Sequence, residues 1–304
     1  MENERYNKLN IALKNKFGER TLKICIDGGF TCPNRDGTKS YAGCIFCSEL
    51  GSGEHTRHFL PIPEQVKAHL ESYRGKRANK FIVYFQNFSN TYADIKTLKE
   101  RYDIALVSDK IVGLQVATRP DCINEEVCAL LNEYTKKVAV TVELGLQTAN
   151  DEIGLAINRC YTTQDFINAV NLLHKYNIEV VCHIMVGLNE TRKDILNTVE
   201  LINTLKVEGV KIHSTYVVKN TKLEKLYINN SYTPITLEYY LDTLCFIISH
   251  LSPNVVIHRL SGDAPKNLLV APLWNTHKKL VLNGIEKLLK QKDLYQGCNL
   301  NKLN

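Results

Sequence analysis

Short apolar segments alternate with helix-like segments along most of this 304-residue chain, and that alternation constrains its fold more than any other feature. The apolar segments are rich in β-branched and aromatic residues, a composition typical of strands. They lie at residues 22–26, 81–85, 110–116, 137–144, 178–186, 209–218 and 254–260. Because helical segments separate strands of this length, the pattern predicts βα units and a parallel sheet.

The helix-like segments carry the spacing and the caps of amphipathic helices. In "TTQDFINAVNLLHKY" either Thr162 or Thr163 can cap the N-terminus, and Phe166 and Val170 lie four residues apart on one face. In "TRKDILNTVELINTLK" the predicted cap is Thr191, and apolar residues again follow at spacings of three and four.

Six or seven βα units fall short of the eight repeats of a complete barrel. We therefore predict an α/β fold, a partial (β/α)6-type open barrel. The core is expected at residues 21–218, after a basic N-terminal arm at 1–20 and before a C-terminal extension at 219–304 that packs on the core. Ligands of such folds bind at the carboxyl ends of the strands.

The chain shows no apolar run of about eighteen residues and no signal peptide at its start, so we expect no membrane partner and a cytoplasmic location. In a reducing cytosol, clustered cysteines indicate a metal site or a catalytic site rather than disulfides. Three of the ten cysteines are clustered in "GGFTCPNRDGTKSYAGCIFC", which directly follows the first predicted strand. This loop therefore lies at the expected ligand-binding end.

Eleven residues separate Cys32 from Cys44, and two separate Cys44 from Cys47. Two thiolates in a CxxC pair can converge on one metal centre or cluster. Three cysteines would leave one iron of a [4Fe-4S] cluster open, which is what a catalytic centre needs and a structural one does not.

Two other interpretations of the loop stay open on the residues alone. A structural zinc ion needs a fourth ligand, for which Cys25, His55 and His58 are the candidates, although the spacings are short of those in zinc fingers. A thioredoxin-like redox pair at Cys44 and Cys47 would leave Cys32 without a role. The open cluster is the favoured interpretation, with zinc second.

The loop, with Phe46 inside its CxxC, resembles that of the radical SAM superfamily. The usual spacing there is C-x3-C-x2-C, and the longer first gap resembles the branch that contains the elongator catalytic subunit. The form "FTCPNRDG" followed by "GCIFC" closely resembles the YhcC/YtqA group of that branch. Further segments similar to motifs of the branch lie at residues 113–121, 142–151, 183–194 and 258–265.

The resemblance implies that Cys32, Cys44 and Cys47 hold a [4Fe-4S] cluster whose open iron binds S-adenosyl-L-methionine (SAM). Reductive cleavage of SAM would yield a 5′-deoxyadenosyl radical, with the electron supplied by a donor such as flavodoxin or ferredoxin. Gln147 and Arg159 match positions that contact the ribose and the carboxylate of SAM in coproporphyrinogen-oxidase-like relatives.

Glu143, at the end of the fourth strand, is a third predicted cofactor contact, because a carboxylate buried there without a partner would be costly. Structural pairing with Lys137 or Arg119 is the alternative. Gln86 and Asn87 replace a glycine-rich segment that receives the SAM amino group in many relatives, so the resemblance does not extend to a contact there.

His183 and His213, on the fifth and sixth strands, would face substrate if they point inward, although satisfied core histidines are the more frequent outcome. Cys182 and His183 alternate, so only one of them can face the barrel interior. The cysteines outside the loop show no metal spacing and predict no second cluster.

The same resemblance suggests a tRNA substrate, specifically the 5-position of wobble uridine, and hence a transferase. The net charge of +6 is mild, but the N-terminal arm and the segment 277–292 are lysine-rich and could contact phosphates. In that last segment Leu280, Ile285, Leu288 and Leu289 are the predicted apolar stripe. A non-catalytic RNA-binding protein with zinc or a cluster, and a radical SAM enzyme for a small metabolite, remain as alternatives.

Overall fold

A curled parallel sheet forms the centre of the molecule. The computed structural model describes residues 4–51, 53–54, 56–262 and 264–300. The strands within these residues are β1 Thr21–Ile26, β2 Lys80–Phe85, β3 Ile111–Thr118, β4 Ala139–Gln147, β5 Glu179–Val186, β6 Gly209–Ser214, β7 Val217–Val218, β8 Val256–Arg259 and β9 Leu269–Ala271.

Helices connect and flank these strands. The α-helices are α1 Leu9–Phe17, α2 Ile62–Leu70, α3 Ile95–Asp103, α4 Glu125–Thr135, α5 Asp151–Ala156, α6 Thr163–Lys175, α7 Arg192–Leu205, α8 Lys222–Ile228, α9 Leu237–His250 and α10 Lys278–Gln291. Short 3-10 helices lie at Gly75–Arg77, Pro120–Cys122 and Leu273–Thr276. Among the described residues, none of these helices has the length and apolarity that a bilayer span requires.

The main sheet confirms the predicted α/β half-barrel. Its seven strands run in the order β1-β2-β3-β4-β5-β6-β8, and each pairs in parallel with its neighbours. All seven predicted strands are present. The segment at residues 209–218 is divided, however, because β6 belongs to the main sheet while β7 pairs with β9 in a separate antiparallel ribbon.

The core lies between the convex face of the sheet and the surrounding helices. Outward-facing side chains such as Val142 and Leu144 of β4 are fully buried, as are Phe166 and Val170 on the predicted face of α6. The Thr162 hydroxyl caps α6 by accepting from the backbone N–H of Asp165, in a capping box. The same motif at Thr191 begins α7, so both predicted helix starts are confirmed.

The N-terminal arm contains α1, which closes the opening of the half-barrel. α1 packs against both β1 and β8, the two edge strands. Lys8 precedes it and forms a parallel β-bridge with Ile257 of β8. Strand β8 lies within residues 219–304, the segment predicted as a C-terminal extension. The extension therefore contributes a strand to the main sheet. The proposed division into arm, core and extension stays a prediction.

Helix α10 confirms the predicted lysine-rich solvent face but corrects its apolar stripe. Ile285 and Leu289 are fully buried as expected, whereas Leu280 is 49% exposed. Val281 is buried in its place. The reason is the spacing: Val281, Ile285 and Leu289 recur every four residues, and a side chain at 280 lies about 100° away around the helix.

Candidate functional site

A cavity of about 650 Å³ opens at the carboxyl ends of the strands of the half-barrel. Its mouth is lined by the three loop cysteines and by residues at or just beyond strand ends, such as Gln86, Arg119 and Gln147. Deeper in, its wall is formed by side chains of the strands themselves, such as Tyr84 and Lys211. The cysteine loop and the barrel interior therefore open into one space.

The cysteine loop is held in shape by two polar residues within it. Asn34 is fully buried, and its amide Nδ2 donates to the backbone oxygen of Asn158 at 2.7 Å. The same nitrogen lies 3.6 Å from Cys44 Sγ. The Arg35 guanidinium donates to the backbone oxygens of Cys47 at 3.0 Å and Glu49 at 3.2 Å, and also to that of Ser48. These contacts replace the regular structure that the loop lacks.

Burial and neighbouring thiols disfavour the ionisation of Cys44 and Cys47. Burial, together with the charges that Cys47 and Cys32 would carry, raises the pKa of Cys44 to about 12, while Arg119 opposes the shift. Burial also raises the pKa of Cys47. Thiolate ligands form when a cationic metal group binds among them. The donor set therefore fits an iron–sulfur cluster held by Cys32, Cys44 and Cys47.

The zinc alternative gains no support from the described residues. Among them, no group of three or more histidine, cysteine, aspartate or glutamate side chains is placed to share one metal ion. A four-iron cluster instead places each thiolate on a different iron. His58 is exposed and does not line the cavity, and His55 lies outside the described residues.

Cys25 belongs to the barrel interior rather than to the cysteine loop. It lines the cavity from β1, and burial raises its pKa. The charged groups that influence it are barrel residues, in decreasing order Lys211, Lys23, Arg259 and Glu143. Among the described residues, no group of three or more potential metal ligands includes Cys25. A role for Cys25 as the fourth ligand of a metal in the loop is therefore not supported.

Glu143 is the centre of a buried polar network in the barrel. It is 3% exposed, and its carboxylate accepts from the Tyr84 hydroxyl at 2.9 Å and the Gln115 amide at 3.1 Å. It also forms a short ion pair with Lys211, whose Nζ lies 3.1 Å from the Tyr84 hydroxyl. Although burial raises the pKa of Glu143, the charges of Lys211 and His183 outweigh it and hold the pKa at about 2.

This network overturns the alternative pairing expected for Glu143. The sequence suggested Lys137 or Arg119 as its structural partner. In the structure, Arg119 instead donates to both carboxylate oxygens of Asp121 at 2.9 Å. Lys137 is exposed beyond the end of α4. Glu143 does line the cavity, as predicted, but its charge is matched by the protein's own lysine.

His183 and His213 line the same cavity, with ring centroids 4.2 Å apart. Burial lowers the pKa of His183 to about 4 and that of His213 well below its usual value, so both imidazoles are neutral near pH 7. The Nε2 atom of each is buried without a hydrogen-bond partner among the described residues. The two side chains are therefore not the fully hydrogen-bonded core histidines that the sequence offered as the more frequent outcome. Cys182 is fully buried on the other face of β5, as the alternation predicted.

The two predicted SAM contacts from β4 and the following loop are placed very differently. Gln147 lines the cavity in a left-handed conformation with φ of 60°, and its Oε1 accepts from the Tyr161 hydroxyl at 2.7 Å. Such a conformation is strained for a residue other than glycine and clusters at functional sites. A Cβ at Gly145 would lie 2.6 Å from the Gln147 Nε2, so any larger residue there would displace the Gln147 amide.

Arg159, in contrast, is fully buried and does not line the cavity. Its three guanidinium nitrogens donate to the chain itself, to the backbone oxygens of Tyr161, Leu146 and Thr148 and to Asp151. No part of the planar fork is directed at a ligand. The contact with the SAM carboxylate therefore stays a prediction that this geometry does not support, and Arg159 instead fixes the turn after β4.

The segment after β2 has a structural role at the mouth. Asn87 is buried, and its amide donates to Asp27 at 2.6 Å and to Thr56 at 3.1 Å. Its side chain therefore ties the loop that follows β1 to the loop that follows β2. Gln86 lines the cavity beside it.

Sequence reasoning missed the cationic residues of the barrel, Lys23 of β1, Lys211 of β6 and Arg259 of β8. All three line the cavity. A signal was available, because Lys23 and Lys211 each stand in the middle of an apolar segment that reads as a buried strand. A charged residue in such a position is rarely buried unless it has a partner or a ligand.

Comparison with known proteins gives two family matches. Residues 31–202 match the model described as the radical SAM superfamily, and residues 207–291 match that of the Radical_SAM C-terminal domain. The chain is 36% identical to the uncharacterized protein YtqA of Bacillus subtilis (strain 168), over 99% of this chain and 94% of YtqA. It is 34% identical to YhcC of Escherichia coli (strain K12), over 95% of this chain and 94% of YhcC.

More distant similarities cover part of larger proteins. A tRNA uridine(34) acetyltransferase of Methanocaldococcus jannaschii is 28% identical over 58% of this chain and 33% of its own length. Among solved structures, Elp3 of the archaeon Methanocaldococcus infernus superposes with a TM-score of 0.69 at 19% identity, over 92% of this chain and 65% of Elp3. That superposition shows a shared fold.

Proposed function

The chain belongs to the radical SAM superfamily, and we propose that it is a tRNA-modifying enzyme that acts at the 5-position of wobble uridine. The observation that carries the proposal is the single cavity into which both the cysteine loop and the reactive side chains of the barrel open. The similarity to a relative named as a tRNA uridine(34) acetyltransferase supports the choice of substrate.

Within this proposal Cys32, Cys44 and Cys47 hold the [4Fe-4S] cluster, and Gln147 contacts SAM. When bound, the cluster and SAM supply a 5′-deoxyadenosyl radical, for which a one-electron donor such as flavodoxin or ferredoxin is required. The protein itself positions the cluster and SAM and shields the reaction from water. Asn34 and Arg35 hold the loop that carries the thiols, and the strands enclose the space in which the radical would meet its target.

A tRNA base would enter this space from the mouth. Bases that undergo chemistry are turned out of their stack into a pocket, and lysines that contact phosphates orient the RNA. Lys278 lines the cavity and begins α10, whose other lysines are exposed. In the N-terminal arm, Lys8 pairs with Glu286 at 2.5 Å and Lys16 with Glu179 at 2.6 Å. We therefore assign the phosphate contacts to α10 rather than to the arm.

The proposal is tested by mass spectrometry of tRNA nucleosides from a strain that lacks the protein. We expect one modified wobble uridine to disappear, to return with the wild-type gene, and to stay absent with a Cys44→Ala gene. An unchanged nucleoside profile would remove tRNA as the substrate while leaving the radical chemistry intact.

The alternatives make different predictions for the purified protein. A radical SAM enzyme is brown and releases 5′-deoxyadenosine from SAM when reduced. A colourless protein with one tightly held zinc ion would instead support the non-catalytic RNA-binding alternative. If reduced protein cleaves SAM but does not bind tRNA in a salt-dependent manner, the small-metabolite alternative is favoured.

A further inference from the structure

Basic side chains are concentrated at the deep end of the cavity. Three basic side chains line it from three strands: Lys23, Lys211 and Arg259. Among the described lining residues the carboxylates are Glu143, in the barrel, and Glu54, in the loop region near the mouth. We call Lys23, Lys211, Arg259 and Glu143 the barrel floor.

The charge of Glu143 is already used within the barrel floor. Its carboxylate contacts Lys211 and accepts hydrogen bonds from Tyr84 and Gln115. Arg259 lies next to Lys211 in the pairing of β6 with β8. Glu143 is therefore occupied by Lys211.

Lys23 contacts no carboxylate among the described residues. Its Nζ lies 3.4 Å from His258 Nδ1 and 5.2 Å from the centroid of the Tyr84 ring. Burial and the charge of Lys211 lower its pKa to about 7, while Glu143 opposes the shift. A half-buried ammonium without a counter-charge is costly, and an anionic ligand group would relieve that cost.

Below Lys23 lies a smaller cavity of about 120 Å³, which Lys23 also lines. Its other walls are apolar residues of α1 such as Leu13 and Phe17, together with the charged side chains of Lys16, Glu179 and Glu208. Glu179 pairs with Lys16, and Glu208 contacts His174. Beside the floor, the buried Nε2 atoms of His183 and His213 have no hydrogen-bond partner among the described residues. Buried polar atoms without partners are expected where a ligand or an ordered water completes a site.

We propose that the barrel floor binds the anionic group, a carboxylate or a phosphate, of a small second substrate, with Lys23 as its principal contact. The role of the anion as a co-substrate of the tRNA modification rests on the proposed function. The binding site itself is independent of tRNA.

The barrel floor and the cysteine loop form different parts of the cavity wall. The cysteines lie in the loop that follows β1, whereas Lys23, Lys211 and Arg259 lie within β1, β6 and β8. We therefore expect SAM, bound at the cysteine loop, to leave the floor free for the anion.

The test is titration calorimetry of anaerobically purified, cluster-loaded protein with succinate and with inorganic phosphate, at constant ionic strength set with chloride. We expect one of the two anions to bind, and the stronger binder identifies the class of group. In Lys23→Met the affinity should fall by about tenfold or more, because a charge-assisted contact is lost. The matched control Lys96→Met removes an exposed lysine from α3 and should bind as the wild type does.

The pH dependence and a competition experiment add independent readouts. The titratable groups nearest Lys23 are Cys25, Tyr84, Glu143, Lys211, His258 and Arg259. Lys16, Glu179 and Glu208 line the smaller cavity below it. Because Lys23 binds an anion only when protonated, affinity should fall as the pH rises above about 7 in the wild type and should be flatter in Lys23→Met. Saturating SAM should not displace the anion.

Several outcomes would overturn the inference. They are the absence of binding by either anion, an equal loss of affinity in Lys96→Met, and displacement of the anion by SAM. Lys23→Met removes a half-buried cation that contacts no carboxylate among the described residues, and the variant should unfold no earlier than the wild type, so a loss of binding will not reflect a loss of fold. Anion binding with an unchanged tRNA profile would retain this inference and reject the tRNA substrate.

Discussion

The cysteine loop and the barrel floor face one cavity but are built in opposite ways. The loop takes its three thiols from residues 32–47 and holds them with hydrogen bonds that two of its own residues, Asn34 and Arg35, donate to backbone oxygens. The barrel floor takes its charges from β1, β4, β6 and β8, which are far apart in the chain. The loop's donors require a cationic group from outside, whereas Glu143 and Lys211 in the floor already neutralise each other.

This difference predicts how each region fails. The thiols of the cysteine loop are ligands for a group that binds from outside. Removing one of them should abolish binding of that group but change the free energy of unfolding little. The Glu143–Lys211 pair of the floor should lose stability when one of its two charges is removed, because the other remains buried without a partner.

The largest expected effect is on the loop. Replacing Cys32, Cys44 or Cys47 by alanine should abolish binding of the iron–sulfur cluster, because each thiolate would hold a different iron. Iron and sulfide analysis and the visible absorbance of anaerobically reconstituted protein measure this. The matched control is Cys25→Ala, which should retain the cluster. Cluster loss in Cys25→Ala but not in Cys32→Ala would reverse the assignment.

The next largest effect is on the floor. Glu143→Gln should lower the free energy of unfolding by about 3–5 kcal/mol, since Lys211 is then buried without its counter-charge. The double variant Glu143→Gln with Lys211→Met should recover most of that loss. Urea unfolding of both variants, with Glu133→Gln on the exposed face of α4 as control, measures the coupling. Additive losses in the double variant would show that the two residues do not depend on each other.

The same pair predicts a pH dependence. The pKa of Glu143 falls from 4.5 to about 2 on folding, so its contribution is complete above about pH 4.5 and is lost as the pH falls towards 2. The loss amounts to about 3 kcal/mol. His183, with a pKa lowered to about 4, destabilises the fold in the same direction below pH 6.5. The comparison of wild type with Glu143→Gln isolates the carboxylate, and parallel pH profiles of the two proteins would contradict this account.

The smallest effect sharpens the role of Arg35. Arg35→Ala removes the charge-assisted hydrogen bonds to the backbone oxygens of Cys47 and Glu49. This should destabilise the folded conformation of the loop by about 1–3 kcal/mol. We expect faster release of iron to a chelator, with Arg35→Lys intermediate because lysine lacks the planar fork. Arg20→Ala, at an exposed position, is the control. Unchanged release from Arg35→Ala would mean that the loop is held in another way.

Much of the fold could be predicted because it follows from local patterns. All seven strands of the half-barrel were visible as short apolar segments, and Thr162 and Thr191 capped the helices that their sequences indicated. Leu280 was placed wrongly because a heptad-like pattern leaves two neighbouring faces to choose from, and packing of α10 against α9 selected Val281.

The candidate site was predictable in its loop and not in its floor. Cys32, Cys44 and Cys47 are close in the sequence, so their spacing alone indicated a metal group. The environment of Arg159 could not be predicted, because its guanidinium donates to backbone oxygens of Leu146 and Thr148. Every residue type has a backbone oxygen, so the sequence does not indicate which ones will be acceptors. Nor could the sequence indicate the partner of Glu143, which lies 68 residues away in the chain at Lys211.

The sequence by itself determined the parallel α/β architecture, the helix starts and the cluster of three cysteines, because periodicity, capping and short spacing act over a few residues. The tertiary structure alone decided that α1 closes the half-barrel, that Lys211 rather than Lys137 or Arg119 neutralises Glu143, and that Lys23 lies without a carboxylate partner among the described residues. Those outcomes depend on which strands become neighbours and which faces turn inward. Charges on distant strands meet only after the sheet has curled.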